Sequence, residues 1–416
     1  GLGERYTNAL VNGSTLPSPE PDRATVPLDL FPTQTIRSID IAKTFTPDMP
    51  ADFAGGSVRI ETITVPERLL FNFSLKAGWN SQATFRHRLS YDGGSTDWLG
   101  IDDGHRALPD EVPRDYALAP GQRTPEGDRI GRGDIDGLGP AFDNPMNTTR
   151  AFTPPHHGGT VMLGNGWDLG RGARLGAVGA LTYGRKYTVR DELIREFIPT
   201  GEGGSDALSV SIDARRRLGR ESVRWGSFGI IGLELGEHHA INLLAMRSQL
   251  ADDTTSVFRG YLANNDGTVG NSRLDFTSRT LDFAQLRGVH AFPELHDAEL
   301  DWRLSLAKAS MSQPDMRDAV YFRGAQSDTF AFLGGATSGR HFYADMDENA
   351  QAVFVDWTQP ILRGELPTKL KVGGAVNTRE RIFGARRFSF RTARGADDGV
   401  FTCGPEVMFR SLRRAL

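Results

Sequence analysis

The chain has 416 residues, of which 38% are hydrophobic, and it contains 48 glycines and 22 prolines. This composition is poor in apolar residues for one dense core and is typical of a β protein with long polar loops. The formal net charge of −4 argues against a nucleic-acid-binding surface. The single cysteine, Cys403, excludes an internal disulfide framework and a cysteine-based zinc site. No run of about 18 apolar residues exists, which excludes a transmembrane helix.

A small module is predicted over the first 62 residues. It begins with a short apolar strand around residues 6–11, and the following Asn12-Gly13 pair favours a tight turn with positive φ. Three prolines within residues 17–22 exclude both helix and central strand, so an extended loop is expected there.

Two more strands are predicted in the same module. Ile39 and Ile41 alternate with Asp40 and Ala42, as expected of a half-buried strand. A Gly-Gly turn at 55–56 then precedes an alternating segment at 57–62. The alternative interpretation is that these are the strands of any small α+β module.

The order of these segments carries a family resemblance. The Asn-Gly turn, the pattern Ile-x-x-Ile-x-Ile-x-Lys-Thr at 36–44 and the Gly-Gly turn resemble the second half of the plug domain of TonB-dependent outer-membrane receptors. The resemblance implies two domains: the C-terminal part of a plug at 1–66, and the N-terminal part of a transmembrane antiparallel β-barrel with long extracellular loops at 67–416. Because the chain begins inside the motif, we expect a fragment that lacks the signal peptide, the partner's docking segment and the first half of the plug.

The resemblance also implies a function, namely energised uptake of a scarce ligand such as a siderophore or glycan across the outer membrane of a Gram-negative cell. The implied partners are a TonB-like energy-transducing protein, outer-membrane lipid and an unidentified small extracellular ligand. Nucleic acid, cofactors, metals and enzymatic activity are not expected. Ligand contacts are expected on the proline-rich plug loop, at Ser14, Pro17, Ser18, Pro19, Asp22 and Arg23. Polar residues facing the barrel lumen are expected to meet the plug, at Asn72, Ser74 and Lys76.

The clearest strand of the sequence is predicted at residues 69–80. One face carries Phe71, Phe73, Leu75, Ala77 and Trp79, whereas the residues between them are polar or glycine. This period of two suits a wall between lipid and a wet lumen. In a soluble β-sandwich the same alternation would separate core from solvent, so this strand alone does not decide between the two.

The spacing of later strands favours a barrel. Tight turns are predicted at 170–173, 236–239, 293–297 and 363–367, and long connections at about 86–157, 188–220, 252–271 and 310–342. Alternating short and long connections are typical of outer-membrane barrels, with the tight turns in the periplasm. About nine strands are predicted, an odd number, so the barrel is expected to be incomplete and its sheet open at the edges.

Five tryptophans fall in the predicted strands, and they suggest an aromatic girdle at the level of the lipid headgroups. They are Trp79, Trp167, Trp225, Trp302 and Trp357. The alternative is that they pack in an ordinary β core.

The segment 91–108 resembles the first external loop of a receptor subgroup with the pattern Asp-Trp-Leu-Gly-x-Asp-Asp-Gly. Its Asp97, Asp102, Asp103 and His105 could gather a cation or bind a sugar, and the alternative is a solvated turn. The pairs His156-His157 and His238-His239 cannot chelate one ion from a regular strand, because adjacent side chains point to opposite faces.

Other function classes remain open. A passive porin would share the strand pattern but lack a separate N-terminal plug. A secreted adhesin or lectin built from β-sandwiches would explain the alternation but not the asymmetry of the loops.

Overall fold

The computed structural model describes residues 7–21, 36–44, 56–63, 66, 68–199, 208–324, 326–333, 338–362, 368–390 and 402. Nearly all regular structure in these residues is β. The strands are β1 (Thr7–Val11), β2 (Ser14–Thr15), β3 (Ile36–Ala42), β4 (Gly56–Thr62), β5 (Leu70–Gly78), β6 (His87–Ser90), β7 (Thr149–Phe152), β8 (His156–Gly170), β9 (Ala173–Pro199), β10 (Leu208–Leu235), β11 (His239–Leu262), β12 (Gly267–Phe292), β13 (Ala298–Gly324), β14 (Ala331–Phe332), β15 (Arg340–Leu362) and β16 (Thr368–Ser389). One short helix, α1, spans Arg132–Asp136. None of the helices among the described residues has the length and apolar character needed to cross a membrane.

The first four strands form a separate sheet in the order β2-β1-β4-β3, and we call its described residues, 7–21, 36–44 and 56–63, the N-terminal unit. The predicted Asn12-Gly13 turn is confirmed, since both residues have positive φ, 45° and 79°. Asn12 also accepts a hydrogen bond from the amide of Thr62 at 3.0 Å, which ties the turn to β4. The strand predicted around Ile39 is confirmed, but its side chain is exposed rather than half-buried.

The remaining long strands form one antiparallel sheet in the order β16-β15-β13-β12-β11-β10-β9-β8-β5, with β14 paired to β13. Successive strands are neighbours throughout, as expected of a chain of hairpins. Three predicted tight turns are confirmed, at 170–173, 236–239 and 293–297; the fourth, 363–367, lies outside the described residues. Within the described residues β5 and β16 are the end strands of the sheet.

The long connection predicted at about 86–157 is present, but others were predicted where the structure has strand. Of the stretch 188–220, only 200–207 lies outside the described strands, and β11 and β12 are joined by a short turn rather than the loop predicted at 252–271. The reason is that charged residues pair across the ladder and keep the hairpin together. Arg216 donates to Glu192 at 2.8 Å, for example, between β10 and β9. Low hydropathy therefore marked polar strand, not loop.

Each face of the large sheet is covered over one half of the strands: one face near the tight turns, and the opposite face in the other half. We call the face that packs against the N-terminal unit the inner face, and the opposite one the outer face. The inner-face core joins two groups of buried apolar residues: Ala9, Val11, Leu16 and Ile60 from the N-terminal unit, and Met162, Ala180, Phe228, Met246 and Phe283 from the sheet. This core occupies the half of the strands near the confirmed tight turns.

The outer face of that same half is apolar and exposed. Phe71 is 67% exposed and Leu75 is 76% exposed on β5. Ladder neighbours and later strands continue this surface with Val161, Leu163, Leu181, Ile231, Leu243, Leu304, Leu306, Val353 and Val355. The side chains that alternate with them face the inner core, so the period-two prediction holds across the sheet.

The outer face of the other half is covered by residues 79–155, which we call the insertion. It contains the two-stranded antiparallel β6–β7 sheet and α1. The predicted girdle tryptophans fall into two groups in the structure. Trp225 lies under the insertion, where its indole Nε1 donates to the carbonyl of Leu99 at 2.8 Å. Trp167, Trp302 and Trp357 instead lie on the outer face near the tight turns. A girdle that includes Trp225 is therefore wrong, because a hydrogen-bonded ring beneath a covering segment cannot lie at a headgroup boundary.

Candidate functional site

The structure buries the proline-rich loop that sequence analysis selected for ligand contacts. Ser14 and Ser18 are 0% and 1% exposed, and Pro17 and Pro19 are also buried. The prolines keep this loop out of the sheet because they lack an amide donor. Asp22 and Arg23 lie outside the described residues.

Side chains of the inner face hold the loop in place. Gln285 on β12 donates through Nε2 to the hydroxyl of Ser14 at 2.8 Å, and Asn377 on β16 donates to the hydroxyl of Thr15 at 2.9 Å. The guanidinium of Arg279 lies 2.7 Å from the carboxylate of Glu20. The N-terminal unit is thus bound through polar contacts around an apolar centre.

A buried carboxylate on β15 anchors the end of the loop. Glu348 is 0% exposed and pairs with both Arg379, at 3.2 Å, and Arg381. Arg381 also donates to the carbonyls of Ser18 and Pro21, at 3.4 and 3.3 Å. Because a buried charge without its partner costs about 3–5 kcal/mol, loss of the arginines would leave Glu348 unpaired and weaken the hold on the loop.

Gly13 is needed for close approach to the sheet as well as for its positive φ. A Cβ at this position would lie 1.8 Å from Nη1 of Arg303. That same guanidinium reaches the carbonyl of Asn12 at 3.5 Å and the carboxylate of Asp356 at 3.0 Å. The turn therefore sits directly on a charged cluster of the inner face.

Polar groups continue along the inner face beyond the loop. Arg279 also approaches Asp252, at 3.6 Å, and Asp275 accepts hydrogen bonds from Gln313 and Thr277, at 2.8 and 3.2 Å. Further from the tight turns, Arg273 lies 2.8 Å from Asp318, which also pairs with Arg340. This track of donors and acceptors can bind a polar molecule by hydrogen bonds. It contains no arrangement of nucleophile and base that would indicate catalysis.

The predicted lumen residues of β5 are placed as follows. Asn72 and Lys76 are exposed, and Ser74 is half-buried, with a hydroxyl that has no hydrogen-bond partner among the described residues. Their expected contact with the N-terminal unit stays a prediction.

The sequence patterns did not identify the residues that hold the loop. Gln285 follows Leu281 and Phe283 at the same spacing, so the inner face of β12 changes from apolar to polar between Phe283 and Gln285. That change is a usable signal. Glu348 and Arg381 gave none, because their partners come from distant parts of the chain.

The acidic segment of the insertion folds around a buried arginine. Arg106 is 0% exposed and donates to Asp97 at 2.9 and 2.6 Å, to Asp102 at 2.9 Å and to the hydroxyl of Tyr91 at 3.2 Å. Its guanidinium also stacks 4.4 Å from the ring centre of Phe276 on β12. Burial alone would lower the pKa of Arg106, but its hydrogen bonds to Asp97 raise that pKa above its usual value.

These contacts bear on the cation and sugar interpretations of the segment. Asp97 and Asp102 are both bound to Arg106, which leaves them less free to bind a cation. Asp103 accepts hydrogen bonds from the hydroxyl and amide of Ser95, both at 2.7 Å, which lowers the pKa of its carboxyl to about 2. The segment is thus folded around Arg106, while Asp103 and His105 remain exposed.

Three consecutive backbone carbonyls attach the segment 91–108 to three neighbouring strands. Tyr183, Trp225 and Gln249 are ladder partners on β9, β10 and β11. Their side chains donate to the carbonyls of Trp98, Leu99 and Gly100 in that order, at 2.8, 2.8 and 2.7 Å. The match between consecutive carbonyls and adjacent strands fixes the insertion in one position.

No group of three or more His, Cys, Asp or Glu side chains in the described part of the chain is placed to hold a metal ion. His239 instead meets His290 across the ladder, with 3.2 Å between their Nδ1 atoms. Trp302 donates to Nε2 of His290 at 3.0 Å, so the neutral His290 carries its proton on Nδ1 and donates to His239. His156 accepts from the amide of Tyr187 at 3.0 Å.

No family model matches the chain, and no curated protein matches it.

Proposed function

We propose that the chain is part of a TonB-dependent outer-membrane receptor, in which the N-terminal unit belongs to the plug and the large sheet to the barrel wall. The single observation that supports this most strongly is the opposite character of the two faces in one half of the sheet. The inner face binds a separate small domain through charged and polar side chains, whereas the outer face exposes a wide apolar surface. A lipid-facing exterior and a wet, domain-filled interior require this distribution.

The proposed function is energised uptake of a scarce ligand, with a TonB-like protein as the partner that moves the plug. The ligand would travel along the polar inner-face track from Arg273 and Asp318 towards Arg279 and Glu20. Release of the loop at residues 14–21 would then open the path. Ion pairs and hydrogen bonds suit such a movable contact, because water can replace them when the domains separate.

The first experiment tests the membrane setting. Cysteines placed at Leu181 and Leu306, with Cys403 replaced by serine, would carry an environment-sensitive fluorophore in the parent receptor, produced with its signal peptide in a Gram-negative host. Both positions are expected to be in hydrocarbon and quenched by bromolipids in outer-membrane fractions. Arg217, which is exposed in the other half of β10, is the aqueous control. Recovery of the intact parent as a soluble protein without detergent would favour the adhesin or lectin alternative.

The second experiment tests energised movement without knowledge of the ligand. Ser14 is fully buried at the interface, so a cysteine there should react slowly with a membrane-impermeant maleimide. In the parent receptor, which carries the partner's docking segment, the rate is expected to rise in energised cells that contain the TonB-like partner, and a protonophore should abolish the rise. A rate that does not depend on energy or on the partner would favour the passive-channel alternative.

A further inference from the structure

Four exposed rings form a ladder where the insertion leaves β5. Trp79 meets Phe85 edge-on at 5.3 Å, Phe85 stacks on Phe152 at 6.1 Å, and Phe152 meets His87 at 6.3 Å. Trp79 is 65% exposed, and both phenylalanines are 58% exposed. We call these rings the aromatic patch. An exposed cluster of this size marks a contact surface more often than chance.

The aromatic patch continues the apolar outer face of β5. Phe71, Phe73 and Leu75 alternate along that face and lead to Trp79 at its end. The rings at the end of the β6–β7 sheet follow directly after Trp79. Hydrocarbon that covers β5 would therefore meet the patch without crossing a polar boundary.

The register of the β6–β7 sheet places the cation of Arg150 beyond the rings. His87 pairs with Phe152, and Leu89 pairs with Arg150, so these four share the outward face. Arg88 points the other way and pairs with Glu221 beneath. His156, at the start of β8, pairs with Gly78 at the end of β5. Phe152 is closer to His156 along the chain than Arg150 is. Moving away from the apolar face of β5, the ring of Phe152 therefore comes first and the guanidinium of Arg150 second.

The backbone is set to expose Phe85. Its φ is 61°, a left-handed conformation that bulky residues rarely adopt. Hydrogen bonds hold it there: the amide of Phe85 donates to the carbonyl of Thr153 at 2.8 Å, and the amide of Thr84 donates to the carbonyl of Asn80 at 2.8 Å. A strained residue that turns a large ring towards solvent indicates a binding role.

We propose that the aromatic patch, with Arg150, docks a phosphorylated glycolipid of the lipid A class in the outer leaflet. Acyl chains lie against the rings, and a phosphate group meets the guanidinium group of Arg150. Arg150 is exposed and makes no ion pair within the described residues, so its charge is available. The sequence of ring and then cation matches the passage from hydrocarbon to phosphate in a lipid, which a protein partner would not require. This inference rests on the proposed membrane setting.

The test uses the full chain, produced with a signal peptide and extracted from outer membranes, with purified bis-phosphorylated lipid A as the probe and native mass spectrometry as the readout. Arg150→Gln should lower bound lipid A about fivefold, and Phe85→Ser with Phe152→Ser should lower it further. Matched controls are Arg215→Gln and Phe197→Ser, since Arg215 is exposed and Phe197 is 53% exposed, away from the patch. The controls should bind lipid A as the unaltered chain does.

Two outcomes would overturn the inference. One is unchanged lipid A binding in Arg150→Gln; the other is equal binding of dephosphorylated lipid A by the unaltered chain. Outer-membrane fractionation of each variant distinguishes failure of the proposed function from failure of the lipid site. A chain that carries a signal peptide but is absent from the outer membrane refutes the proposed function, whereas a chain that is present there but indifferent to these changes refutes only the lipid site.

Discussion

Replacement of Arg106 by alanine should open the insertion locally without unfolding the sheet. The guanidinium is fully buried and satisfies Asp97, Asp102 and Tyr91, and it stacks on Phe276. Removing one partner of a buried ion pair costs about 3–5 kcal/mol. The lower figure applies here, because Asp97 and Asp102 are each 17% exposed and can regain water. A loss of about 3 kcal/mol raises the open population about 100-fold.

Hydrogen–deuterium exchange of the full chain measures this directly. Amides in residues 91–108 should exchange about 100-fold faster in Arg106→Ala, and about tenfold faster in Arg106→Lys, because an ammonium cannot bridge both carboxylates. Peptides around Phe283 in the inner core should not change. Arg114→Ala is the control, since Arg114 pairs with a fully exposed Asp110 and its loss should have almost no effect. Unchanged exchange in 91–108 would refute the view that Arg106 organises the insertion.

Three further outcomes are expected. Asp253 on β11 is the ladder partner of Phe276, on which Arg106 of the insertion stacks. Burial raises the pKa of Asp253 to about 7, so the folded chain keeps a proton that the unfolded chain loses near pH 4. Protease resistance of the insertion should therefore fall between about pH 4 and pH 7, and Asp253→Asn should remove this fall, worth at most about 4 kcal/mol. Trp167→Phe should reduce fluorescence quenching by bromolipids, whereas Trp225→Phe should not, because that ring lies under the insertion. Glu348→Gln should weaken the contact of the N-terminal unit with the sheet by about 3 kcal/mol, the lower figure for a broken buried pair, because Arg379 and Arg381 are 38% and 32% exposed and regain water. Limited proteolysis of the unit measures this, with the exposed Glu299→Gln as an unaffected control.

Local patterns in the sequence predicted the strands and turns well. Alternation located β5, and glycine-containing turns located the hairpins at 170–173 and 236–239. These features depend on residues that are close in the chain, namely which face a side chain points to and which residues tolerate positive φ. The N-terminal strands were found for the same reason.

The length of the strands and the contacts of the loops could not be predicted in this way. Arg216 and Glu192 stabilise a ladder across a gap of 24 residues, and a polar stretch with such pairing is indistinguishable from a loop when it is considered alone. Arg106 depends on Phe276, and Glu348 depends on Arg381. These sites exist only when distant segments meet, so composition and spacing carry no trace of them.

The great length of β9 and β10 has a consequence for how a ligand would arrive. A strand of 28 residues measures about 90 Å, and at a tilt of about 40° it rises about 70 Å, of which a bilayer's apolar layer occupies about 25 Å. In the proposed setting, most of the barrel wall would extend beyond the membrane on the cell exterior, with the insertion packed on its outer face. A ligand would then first bind far from the lipid, and it would pass along several nanometres of charged inner face before it reached the plug.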